Sequence, residues 1–69
     1  MTFADSIVQL RSELRISQKE LAEQLNISVA TVNRWENGRT MPNKMTVFVI
    51  RKYCEGHGLD FSYDEGAGT

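Results

Sequence analysis

Apolar residues along this chain recur every three or four positions, and the alternation of two that marks a half-buried strand is hard to find. Phe3, Ile7, Leu10 and Leu14 are spaced by four, three and four, which draws one stripe along a helix from about Phe3 to Arg15. Thr2 is its N-cap and Asp5 lies in its first turn. Ser17-Gln18-Lys19-Glu20 has the form of a capping box, in which hydroxyl and carboxylate each satisfy a backbone donor at a helix start. In the second helix that follows, Leu21, Ala22 and Leu25 face inward and Lys19, Glu23 and Gln24 outward. Asn26 stands where this helix must stop, and asparagine enters the left-handed region more readily than most residues. Ser28 caps a third helix, Val29 to about Asn37, with Val32 and Trp35 buried, Ile27 just outside its start and Gly38 as its stop. Pro42 keeps Arg39–Pro42 a loop. Asn43 caps a fourth helix from Lys44 to about Glu55, ended by Gly56-His57-Gly58. The predicted fold class is all-α, with four to five short helices, the fifth being a short turn near Leu59–Tyr63.

Sixty-nine residues close one hydrophobic core and no more. The predicted organisation is one domain over residues 1–57 and an acidic tail over 58–69, disordered over about its last six positions. A chain this small has little room for a deep catalytic cleft. Its one histidine and one cysteine sit at C-x-x-H spacing in Cys54-Glu55-Gly56-His57, with no second pair to complete a tetrahedral metal site. They form no nucleophile–base arrangement either. No enzyme activity, metal or cofactor is expected. A lone cysteine makes no internal disulfide. No run approaches a membrane span, and MTFADSIVQL lacks the basic and apolar regions of a signal peptide. The expectation is a cytoplasmic protein that does not engage membranes.

Net charge changes the picture only when it is divided. The chain carries −1 overall, but all eight Lys and Arg lie in residues 1–54 with five acids, for +3 there. The rest has four acids and no Lys or Arg, for −4. Affinity for phosphate follows the local charge at the contact face, so a nucleic-acid partner remains open to residues 1–54.

Two short helices joined by a tight turn form a geometric device. Ala22 is small enough for a close crossing, Asn26 turns the chain, and Ile27, Val32 and Trp35 fix the third helix at an angle, leaving its outer face free for a groove about 12 Å wide. At this point ISQKELAEQLNISVATVNRWENGRTMP closely resembles the signature of the Cro and phage-repressor family of helix-turn-helix proteins, also called the xenobiotic-response-element family. The residues that carry the resemblance are Ser17-Gln18, Leu21-Ala22, Leu25, Ile27-Ser28, Val32, Trp35-Glu36-Asn37-Gly38 and Pro42. The family usually has glycine where this chain has Asn26.

The resemblance implies a lambda-repressor-like domain, and with it sequence-specific binding of double-stranded DNA by a transcriptional regulator, a repressor in most cases. It implies roles residue by residue. Val29, Ala30, Asn33 and Arg34 stand where the family reads base edges. Arg34 suits the O6/N7 pair of guanine, Asn33 suits adenine, and Val29 or Ala30 a thymine methyl. Gln18, with an amide expected to be exposed at a helix start, stands where the family contacts phosphate. Thr31, Asn37, Arg39, Thr40 and Lys44 stand where it makes mostly backbone contacts. Glu36 is out of place on a DNA-facing helix unless, as is common in the family, it forms a structural ion pair with a basic residue of the first helix, here Arg11.

On the fourth helix Val47, Ile50 and Cys54 make the inward stripe, with Met45 and Tyr53 at its borders. Phe48 and Val49 then point partly away. Exposed large apolar residues mark interfaces, so the expectation is a homodimer through Phe48 and Val49, which sets two reading helices about 34 Å apart. Leu59, Phe61 and Tyr63 either assist that dimer or fold back over Phe48 to complete a monomer core. The rival to a DNA-binding regulator is an antitoxin or adaptor module whose main work is gripping a partner protein, a toxin or co-regulator.

Overall fold

A computed structural model describes residues 1–64, which fold into four helices and no strand. They are α1 (Phe3–Leu14), α2 (Gln18–Leu25), α3 (Val29–Glu36) and α4 (Lys44–Gly56). The expected disorder of the acidic end falls, apart from Asp64, on positions outside the described residues. Each helix starts on a side-chain cap. Thr2 with Asp5 and Ser17 with Glu20 form complete capping boxes, while Ser28 and Asn43 accept from the backbone N–H of Thr31 and Thr46. The second helix stops at Asn26 as predicted, and the other three end one residue away from the predicted positions: Arg15 and Asn37 are caps, and Gly56 belongs to α4.

Two non-glycine residues adopt the left-handed conformation that ends a helix, Arg15 at φ 57° and Asn26 at φ 60°. Asn26 announces this by residue type; Arg15 does not. What holds Arg15 there is the next residue. Ile16 N–H returns to the carbonyl of Arg11 at 3.1 Å while its own carbonyl accepts from the Arg11 guanidinium at 3.2 Å, and its side chain packs on the core. Gly38, at φ 70°, ends the stretch after α3.

The core is Phe3, Ile7 and Leu10 from α1, Leu21 and Ala22 from α2, Val32 and Trp35 from α3, Ile50 and Cys54 from α4, and Phe61 from beyond the helices. α3 packs against both α1 and α2, and α4 packs against α2. Beside that last junction the Tyr53 hydroxyl bonds to Gln24. Trp35 lies edge-on to Phe3, ring centres 5.7 Å apart.

The short fifth turn near Leu59–Tyr63 does not form. Residues 59–64 run as an irregular strap across the start of α1, because their polar groups find partners there instead of in a turn of their own. Asp64 N–H donates to the Met1 carbonyl at 2.8 Å, and the Ser62 carbonyl accepts from Ser6 Oγ at 2.7 Å. The Phe61 carbonyl accepts from Arg51 at 3.0 Å. Phe61 is buried, and Leu59 and Tyr63 pack against the core. The aromatic residues thus fold back, but onto Phe3 rather than over Phe48, which stays 56% exposed. No helix among the described residues is long and apolar enough to cross a membrane.

Candidate nucleic-acid interface

The eight residues of α3 present opposite faces. Val32 and Trp35 are buried, whereas Val29, Ala30, Asn33, Arg34 and the cap Asn37 are exposed. Their spacing, i, i+1, i+4, i+5 and i+8, places them on one side of the helix. The exposed face is about 12 Å long at 1.5 Å per residue. Arg39, Thr40 and Lys44 follow, all exposed. Among the described residues, Arg34, Arg39 and Lys44 join no ion pair, so their charges stay available to an external anion.

Two other sequence-selected residues are committed locally. Thr31 is half-buried, its hydroxyl 2.9 Å from that of Ser28. Asn37 donates its side-chain amide to the Asn33 side-chain oxygen Oδ1 at 3.1 Å, one turn apart, which holds the Asn33 side chain along the helix with its own NH₂ pointing away from that bond.

Glu36 anchors the inner edge of the site. Its carboxylate takes Arg11 Nε at 2.5 Å and an Arg11 terminal nitrogen at 3.0 Å, a two-pronged pair linking α3 to α1. It also accepts from Gln18 Nε2 at 2.9 Å, which ties in the start of α2. Burial pushes the Glu36 carboxyl up, but hydrogen bonds from Arg11 and Gln18, with the guanidinium charge, outweigh it and hold its pKa below the ordinary value. The bond to Glu36 in turn raises the Arg11 pKa. Gln18 is therefore half-buried and bonded rather than freely exposed; one amide N–H and its carbonyl oxygen remain beyond that bond. Sequence reasoning missed this contact because it linked Glu36 with a base and never with an amide eighteen residues back.

The sequence matches the helix-turn-helix family over residues 7–60. The chain belongs to that family. Two relatives illustrate its range. A helix-turn-helix-type transcriptional activator, BcrR of Enterococcus faecalis, is 36% identical over 53 residues, 77% of this chain and 26% of the activator. A type II methyltransferase, M1.ScrFI of Lactococcus lactis subsp. cremoris, is 36% identical over 52 residues, 71% of this chain and 13% of the enzyme. The chain thus spans only about a quarter and an eighth of these two proteins. No solved structure matches it.

Apart from the interface, α4 carries an apolar surface: Phe48, Val49 at 44% exposure and Met45 at 70%. Met45 turns further out than its expected border position. Beside them Met41, Pro42, Val47, Phe48, Arg51 and Tyr63 line an open groove of about 280 Å³.

Proposed function

We propose that this helix-turn-helix domain binds double-stranded DNA and regulates transcription. The family match and the likeness to a transcriptional activator support that coarse reading. The finer reading is that α3 enters the major groove with Val29, Ala30, Asn33 and Arg34 toward base edges, while Gln18, Thr31, Asn37, Arg39, Thr40 and Lys44 hold phosphates. One observation carries it: a short helix locked from behind by Val32, Trp35 and the Arg11–Glu36 pair, with an exposed outer face that carries Arg34 and is followed by the exposed Arg39 and Lys44.

Repression is a further part of the proposal, resting on the simple argument that an occupied operator blocks a promoter without further machinery. A homodimer through Phe48 and Val49 is part of the proposal, because an exposed apolar face on α4 suits self-association and two-fold symmetry doubles the read sequence. Methylation is not proposed, since the shared stretch is an eighth of the methyltransferase.

Selection from a random double-stranded DNA pool at near-physiological salt tests the reading. Enrichment of an inverted repeat with half-sites one helical turn apart is the expected result. No enriched sequence at any protein concentration would overturn it and favour a module that grips a partner protein.

A further inference from the structure

Phe3 has three ring neighbours: Trp35 at 5.7 Å, Phe61 at 6.0 Å and Tyr63 at 5.3 Å, all edge-on. Trp35 is the buried face of α3, whose opposite face is the proposed reader. A continuous run of rings therefore joins the strap 59–64 to the recognition helix through one residue of α1. Phe3, Phe61 and Tyr63 all lie outside residues 7–60, the range matched to the family.

The strap is also narrowly seated. On one edge it borders a groove of about 450 Å³ formed with Met1, Ser6, Gln9, Leu10 and Glu13, and on the other Tyr63 borders the groove beside Phe48. Segments outside the helices and near a chain end open at lower free energy than the packed helices.

We infer that Phe61 and Tyr63, acting through Phe3, are positioning residues for the recognition helix, so that DNA affinity depends on whether the strap is seated. With the strap lifted, Phe3 keeps Trp35 as its one ring neighbour, and the α1 side of α3 loses the support behind Phe3 while Ile7, Leu10 and the Arg11–Glu36 pair remain. Only the fraction of molecules with α3 correctly set then binds at full strength, and apparent affinity falls by that fraction. This rests on the DNA-binding reading above, and its test separates the two.

The chain has a single tryptophan, and it is the ring in question, so Trp35 fluorescence reports the brace without DNA. Phe61→Leu, which keeps an apolar side chain, and Tyr63→Ala, at a half-buried position, are compared with Tyr63→Phe and with Ile50→Val, a core change outside the ring run. All are measured at a temperature where circular dichroism shows full helicity. The expected result is altered Trp35 emission and roughly five- to tenfold weaker operator binding for Phe61→Leu and Tyr63→Ala. The salt dependence stays unchanged because no phosphate contact is lost, and Tyr63→Phe, which keeps the ring, binds more tightly than Tyr63→Ala. Wild-type affinity in both variants, or a loss no larger than that of Ile50→Val, overturns the inference. If the wild type binds no DNA, the functional reading falls, and unchanged Trp35 emission in the same variants overturns the positioning role independently. If Phe61→Leu fails to fold, Tyr63→Ala decides.

Discussion

Glu36 shows how one residue can look like a defect in the sequence and a fastening in the structure. A carboxylate on a DNA-facing helix would repel phosphate, yet its side chain is only 9% exposed and is held by Arg11 and Gln18. Removing the base leaves a largely buried acid with Gln18 as its remaining partner. Arg11→Ala should cost about 1.5–3 kcal/mol, as for hydrogen bonds to charged groups, which lowers the melting temperature by roughly 10 °C in a domain of this size; calorimetry checks it. The sign of the pH effect follows from the depressed pKa of Glu36. Its contribution is complete above the ordinary glutamate value of 4.5 and is lost as pH falls through the lower folded value. Glu36→Gln should therefore flatten the stability profile below about pH 4.5, where acid titrations of the two proteins are compared. Arg34 makes the opposite case, a residue that joins no ion pair among the described residues and whose proposed role lies outside the protein. Arg34→Ala should cost ~1–3 kcal/mol of operator binding and relax preference at one base pair, visible in repeated selection; equal loss on every sequence would assign it to phosphate.

Helix starts were legible at the level of the element because caps are chemical. Thr2, Ser17, Ser28 and Asn43 each accept a backbone hydrogen bond in the place their side chains suggested. One of the helix ends was harder to read. Arg15 takes a left-handed conformation although nothing in its side chain favours it; Ile16, drawn to the core, imposes it. That cost is relieved by glycine, so Arg15→Gly should stabilise by about 0.5–1 kcal/mol and raise the melting temperature by a few degrees. The irregular strap was the least legible element. Its apolar residues alternate over Leu59, Phe61 and Tyr63, which signals burial on one side, but its partners lie near the other end of the chain, on Phe3 and Ser6. Local periodicity carries no information about a contact spanning 56 positions.

The described residues span 31 × 25 × 21 Å, and their surface divides by proposed use. The proposed DNA face lies on α3 and the loop after it, the apolar surface on α4. If Phe48 and Val49 join two copies, light scattering should give a dimer mass for the wild type and a monomer mass for Phe48→Glu; monomers in both cases remove self-association. The other consequence comes from Cys54, which is 1% exposed, with burial pushing its thiol up to about 11. A thiol reagent needs an accessible thiolate, and the folded chain offers neither access nor charge. Each modification event at neutral pH therefore records one excursion in which α4 comes away, and the protein carries its own clock. Timed in a crude extract, with and without operator DNA, that clock should slow as DNA is added, by the factor with which binding suppresses opening.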